Sequence, residues 1–297
     1  MTKIQNSQVI YAMDAANPPV MSISSGNEVT FETCDCFQNQ IKSENQSVDS
    51  LDWERINPAT GPLYVEGASP GDVLKVEILD ITIADQGVMA AIPGAGLLGD
   101  GVTASQIKMM PIEKGMARFN DKLSLPVTPT IGVIGVAPAS GAIPCGAPGP
   151  HGGNMDNKKT RAGSVLYLPI WVEGALLAMG DLHGLIGDGE IMVSGLEVAG
   201  AVTVRISVLK DRKQQNPMLE DDTHLYTVAS DEDLLKAVKT ATEDMHQWVM
   251  AETGLSFNEA GMLLSAAGNA EICQVVDPLL TARFGLSKDI LQALKQG

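Results

Sequence analysis

Short β-branched or alternating runs, cut off from one another by glycine and proline, are what most restrict the fold of this chain. They recur at Gln8 to Met13, Glu28 to Thr33, Val73 to Ile83, Ile131 to Val136, Ser164 to Val172 and Glu190 to Leu209. Turn signals such as Ser25-Gly26-Asn27, Ser69-Pro70-Gly71-Asp72 and Gly187-Asp188-Gly189 separate them. The 30 Gly and 16 Pro fall mainly between these runs, where a strand-rich fold needs tight turns and bulges. Strands joined by turns with few helices between them predict antiparallel sheets in a sandwich or partly closed barrel.

The pattern changes near residue 230. Leu234, Val238, Ala241, Met245, Trp248 and Val249 recur at helical spacing, Ser230 with Asp233 resembles a capping box, and Gly254 marks the end. Ser256 with Glu259 repeats the capping signature before Ala260 to Ala267, and Ser287 suits the cap of a short helix through Leu294. The reading is a mainly β, sandwich-like body over residues 1–225 with an α+β part over 226–297 packed on it. Neither a flexible linker nor a fixed repeat interrupts the chain, so one compact unit is expected.

Charge and composition narrow the function. A formal net charge of −16, with Lys and Arg scattered, repels phosphate backbones and anionic membranes, so neither nucleic acid nor membrane is an expected partner. The first residues, Met1-Thr2-Lys3-Ile4-Gln5-Asn6, lack the apolar stretch of a secretory signal. The most apolar region, Leu125 to Cys145, is broken by Pro126, Pro129, Pro138 and Pro144. A cytoplasmic protein is the expectation. Cys34, Cys36, Cys145 and Cys273 lack paired CxxC spacing and read as reduced, buried thiols.

Three segments could carry chemistry. In Gly180-Asp181-Leu182-His183, the acid and the imidazole stand two apart and face the same side of an extended chain. A two-residue turn at Asp188-Gly189 would return Glu190 to that face if the intervening glycines let the segment bend. Such a set suits a divalent metal that activates water, or equally a surface hairpin whose His hydrogen-bonds its Asp. In His151-Gly152-Gly153-Asn154-Met155-Asp156, the glycines could leave backbone N–H groups accessible, Asn154 could donate to a carbonyl, and His151 or Asp156 could ligate metal. A plain loop is the other reading. Asp35, between Cys34 and Cys36 after a strand, is the third.

Other templates fail. Gly94-Ala95-Gly96-Leu97-Leu98-Gly99 matches GxGxxG but follows Pro93 and lacks a βαβ setting. Neither a GxSxG elbow nor a Walker A sequence is present. Cys145 remains conceivable as a nucleophile because it shares a loop with His151, whereas His224 and His246 read as structural.

The sequence resembles the acetamidase/formamidase family from roughly Ser25 to Gly285. The likeness rests on Asn57-Pro58-Ala59-Thr60-Gly61-Pro62 with Val65-Glu66-Gly67-Ala68, Pro70-Gly71-Asp72, Pro93-Gly94-Ala95-Gly96-Leu97-Leu98, His151 to Asp156, and Gly180 to His183 continuing into Gly187 to Glu190. The resemblance implies hydrolysis of short aliphatic amides to acid and ammonia, a β-sandwich-like body, a homodimer, and bound zinc or calcium. Its site residues fall at Asp35, His151, Asp156, Asp181, His183 and Glu190. The expected arrangement is a metal on Asp35, His151, Asp181 and His183. Glu190 or Asp156 serves as acid and base, and Gly152, Gly153 and Asn154 bind the substrate oxygen. A metal-independent amidase using Cys145 or a carboxylate, and a non-catalytic binding protein, are the alternatives.

Overall fold

The computed structural model describes residues 2–295. Among them, a nine-stranded sheet runs in the order Thr2–Ile4, Glu28–Thr33, Gly200–Leu209, Val73–Ile83, Val165–Pro169, Met218–Glu220, His224–Asp231, Leu280–Ser287, Asn269–Gln274. A second, eleven-stranded sheet is centred on Leu177–Leu185. One edge of that strand pairs with Thr130–Gly135, and the other is shared end to end by Ala59–Glu66 and Leu196–Val198. Most pairs are antiparallel as the turn spacing predicts. Thr2–Ile4 with Glu28–Thr33 and Met21–Ser24 with Ala59–Glu66 run parallel.

Side-chain alternation explains how the layers stack. In Val73–Ile83, the residues Leu74, Val76 and Ile78 enter one core together with Leu63, Ile131, Leu177 and Leu182 of the other sheet. This is the sandwich interior. Val73 points the other way, as do Leu225 and Ala229, into a second core completed by Ala241, Met245, Val249, Leu264 and Leu291 of the helices. The nine-stranded sheet is therefore buried on both faces along its C-terminal half, which is why those strands read as nearly continuous apolar runs.

The helices are α1 (Leu234–Thr253), α2 (Phe257–Ala267) and α3 (Lys288–Lys295). α1 begins three residues later than the Ser230 signature suggests. Ser230 lies in His224–Asp231 and bonds Thr281, and Asp233 caps the helix by accepting from the N–H groups of Leu235 and Lys236. Gly254 closes it at φ 73°, the left-handed conformation glycine adopts freely. The Ser256/Glu259 box forms as expected, and Ser287 accepts from Asp289 N at the start of α3. No helix among the described residues is long and apolar enough to cross a membrane.

The run from Glu190 to Leu209 is not one strand. Residues 186–195 form a loop, Leu196–Val198 belongs to the eleven-stranded sheet, and Gly200–Leu209 to the other. The chain changes sheets at Ala199–Gly200, where a Cβ on Gly200 would stand 2.3 Å from the Thr82 carbonyl oxygen. Period alone cannot reveal that crossing, because both halves alternate correctly.

Candidate active site

The centre of the eleven-stranded sheet carries charge where a sandwich should carry none. Asp181 and His183 sit in Leu177–Leu185, which is buried over eight of its nine residues. His183 pairs directly across to Glu197 on Leu196–Val198. Asp156 follows Gly152–Asn154, and Glu190 comes from the 186–195 loop, which Gly189 ties to Cys273 O and Leu97 ties through Ile191 O. Around His183 Nε2 stand Glu197 Oε1 at 3.4 Å, Glu190 Oε1 at 3.6 Å, and Asp156 Oδ1 and Asp181 Oδ1 at 3.7 Å.

Backbone strain and one glycine make this convergence possible. Asp156, Asp181 and Glu190 all adopt positive φ (43°, 54° and 48°), a region non-glycine residues seldom enter and one that collects at functional sites. Opposite Asp181 lies Gly132. A Cβ there would come within 2.4 Å of both Asp156 Oδ1 and Asp181 Oδ2, and within 2.7 Å of His183 Cε1. The missing side chain thus leaves a cradle bounded by two carboxylates and an imidazole.

Burial pushes the Asp181, Glu190 and Asp277 carboxyls well above their usual range and raises Asp156, with the neighbouring acids adding to the effect. Burial opposes charge on His183 too, but Glu197 and Asp181 outweigh it and raise the imidazole. Burial works against an ionised Glu197, yet His183 prevails and lowers it. His183 and Glu197 are then the ionised pair, and the surrounding acids compete for protons.

Both oxygens of Asp156, Asp181 Oδ1 and Glu197 Oε2 are buried without a hydrogen-bond partner among the described residues. Buried polar atoms are normally satisfied, and clustered carboxylates cannot all ionise without a compensating cation. Oxygen and imidazole donors around a cradle fit a divalent metal, and Asp156, His183 and Glu190 offer ligand atoms within 4.8 Å of one another.

The Acetamidase/Formamidase family matches residues 6–144 and 139–291 of the sequence. The chain belongs to that family. Its structure is similar to an acetamidase from Bacillus halodurans (49% identity, TM-score 0.97, 98% of this chain and 99% of that one). It is equally similar to a predicted acetamidase/formamidase from Thermoanaerobacter tengcongensis (48%, TM-score 0.97, 99% and 97%). The formamidase of Methylophilus methylotrophus is 28% identical over 253 residues, 65% of this chain and 62% of that protein. This chain spans less than two thirds of the length of the curated relatives it matches.

Within this acetamidase/formamidase fold, Asp156, Asp181, His183 and Glu190 come together as the sequence predicts, although the route to Glu190 differs. The 188–189 pair does not make a two-residue hairpin. Glu190 N donates to Gly187 O and Val193 N to Glu190 O, so a folded-back loop, not strand register, delivers the acid. Asp35 stays outside the cluster. It faces an adjoining cavity of 270 Å³ beside Asn39 and Lys42, its Oδ1 accepts from Asn39 N at 2.6 Å, and burial raises its carboxyl to about 6.

His151 is buried against the Gly149 and Gly153 backbone and joins neither of the two candidate cation clusters found among the described residues. Burial depresses its imidazole to about 4, so it is neutral at physiological pH. Gly152 donates its N–H to Gly149 O, so that group is not open to substrate. Asn154 does face the cavity, but its Nδ2 donates to Asp277 Oδ2 at 2.9 Å and its Oδ1 remains without a partner among the described residues. Cys145 is packed among Met13, Ala59, Val133 and Ala178, and burial pushes its thiol to about 12, far from a nucleophile's range.

Three further residues at this centre are Glu197, Asp277 and Cys36, all on the wall of a 640 Å³ cavity. Glu197 had a signal in the sequence, a lone acid between Leu196 and Val198 in a strand with no polar face. Cys36 had only its position beside Asp35. Asp277 reaches the site from the loop between two C-terminal strands and had none. Tyr11, Phe37, Trp53, Ile92 and Val193 line the rest of the cavity, so the acid cluster forms the polar floor of an apolar chamber.

Proposed function

We propose that this protein hydrolyses short linear amides of the formamide and acetamide type to carboxylic acid and ammonia. The observation that carries the reading is the buried ring of carboxylates around His183, three of which, Asp181, Glu190 and Glu197, line the 640 Å³ cavity. The names of the relatives support the amide class.

In this reading Asp156, Asp181 and His183 would hold a divalent cation, zinc suiting the mixed oxygen and imidazole donors better than calcium. Bound there, the cation supplies a Lewis acid for the carbonyl oxygen and acidifies water. The protein's own groups do the rest. Asn154 Oδ1 accepts from the amide N–H and turns the carbonyl carbon toward the cluster. Glu190 lines the cavity, and burial raises the proton affinity of its carboxylate, which in its ionised form suits a general base. It takes the proton of the attacking water and delivers it to the departing nitrogen, so that the C–N bond breaks as the new C–O bond is completed. The apolar walls exclude bulk water and strengthen each of these contacts.

The test is ammonia release from formamide, acetamide and propionamide before chelation, after chelation, and after zinc or calcium is restored. Release that disappears with chelator and returns with metal is expected. Release indifferent to chelator removes the cation from the mechanism, and silence on all three amides removes the amidase reading. We propose a homodimer as well, for which the exposed apolar Phe257 and Met262 of α2 offer a surface; light scattering on the purified protein decides it.

A further inference from the structure

We propose that the same floor takes a second divalent cation, held by Cys36, Asp181 and Glu197 beside the first, with Asp181 shared between the two. The inference rests on the amidase reading above, which needs only the first cation. Cys36, Asp181 and Glu197 are buried, and their ligand atoms lie within 4.8 Å of one another. Metal–sulfur and metal–oxygen bonds of about 2.0–2.3 Å let three such donors close on one ion with little movement.

Two of the three bring an atom that lacks any partner. Glu197 Oε2 and Asp181 Oδ1 are buried without a hydrogen bond among the described residues, and both residues line the same cavity wall as Cys36. Asp181 is placed to bridge. Its Oδ2 faces the Gly132 cradle with Asp156 and His183, and its carboxylate is also a member of the Cys36 and Glu197 set. Carboxylate-bridged pairs of cations about 3.5–4 Å apart recur in hydrolytic centres, where they clamp the attacking and leaving groups together.

Charge argues the same way. Asp156, Asp181, Glu190 and Glu197 surround a single imidazole, so one divalent cation leaves four ionised carboxylates with excess negative charge in a buried setting. A second removes most of that excess. The thiol makes the second position chemically distinct, since a sulfur donor favours zinc or another soft cation over calcium.

Cadmium or cobalt titrated into metal-free protein reads this directly, because a thiolate ligand adds a charge-transfer absorption that oxygen and nitrogen donors do not. Wild-type protein should bind two equivalents and show that band, Cys36→Ser should bind one and lack it, and Cys145→Ser should behave as wild type. On unmodified protein, zinc should protect Cys36 from alkylation as mapped by mass spectrometry, which keeps the test available if Cys36→Ser fails to fold. One equivalent without the band, or a band that survives in Cys36→Ser, overturns the second site and leaves the first standing. No uptake at all overturns both.

Discussion

His183 and Glu197 are direct cross-strand partners, and their side chains meet at 3.4 Å from Nε2 to Oε1 in the middle of a buried sheet. Pairs opposite one another in an antiparallel ladder usually join apolar to apolar in a sandwich interior. Here the ladder fixes an imidazole against a carboxylate, and the mutual attraction offsets the burial that would otherwise neutralise each. Asp156, Asp181 and Glu190 share that imidazole at 3.6–3.7 Å, but it does not outweigh their burial, and they set the behaviour of the metal-free protein.

Stability of the chelated protein should fall as pH rises from mildly acidic to neutral. Burial raises the folded-state carboxyls of Asp156, Asp181, Glu190 and Asp277 above their unfolded values. The folded state therefore binds more protons, so the stabilisation is complete below the unfolded pKa and is lost as pH climbs through the folded one. Thermal scans across pH should show this slope in the chelated wild type, a shallower slope in Asp181→Asn, and little slope once zinc replaces the protons. An unchanged slope in Asp181→Asn would show that its carboxyl titrates normally.

Gly132→Ala should fold less stably and lose the first cation. The added methyl would sit 2.4 Å from oxygens of Asp156 and Asp181, closer than any real contact, and both neighbours are backbone-strained and buried. Relieving the clash costs about 1–3 kcal/mol of stability, typical of overpacking. Elemental analysis should find reduced metal per chain, with ammonia release falling in proportion. Full metal occupancy in the variant would mean that the cradle over Gly132 is not where the ion sits.

Glu190→Gln separates the proton carrier from the ligands. The amide keeps the shape and the loop contacts of residue 190 but cannot exchange a proton, so metal content should be retained while kcat falls by roughly a hundredfold or more. Wild-type turnover in this variant would take Glu190 out of the chemistry.

The strands Glu28–Thr33 and Val73–Ile83 begin and end where their period-two pattern says, because each has one face in the sandwich core and turn residues at both ends. The Ser256/Glu259 cap was equally plain, as its signal is local. What the pattern hides is long-range. Glu190 reaches His183 through a loop pinned to Cys273 and Leu97, and Asp277 arrives from a turn 94 residues after His183, so neither position is encoded in nearby spacing. Glu197 lay within reach, since an acid inside an apolar strand must find a partner or a metal. His151 shows the converse, for its motif suggested a ligand and its ring is packed on glycine backbone instead.

Asp35→Asn discriminates the ligand set drawn from the sequence from the one drawn from the structure. Asp35 Oδ1 accepts from Asn39 N, and Asn39 Oδ1 accepts from Asp35 N, a reciprocal clamp that holds the turn carrying Cys36 and Phe37 into the cavity wall. An asparagine oxygen can accept the same bond, so the turn should survive. Burial raises the Asp35 carboxyl to about 6, so at neutral pH it is mostly ionised and its charge is held at a cost in stability. Because the folded pKa lies above the unfolded one, the aspartate loses stability as pH rises through that value, and the neutral amide does not. The variant should therefore keep every equivalent of bound metal, lose less than about tenfold in turnover, and match or exceed wild-type stability at neutral pH. Metal analysis and ammonia release on one preparation decide the matter, and a lost equivalent of metal in a variant that still melts cooperatively would return Asp35 to the coordination sphere.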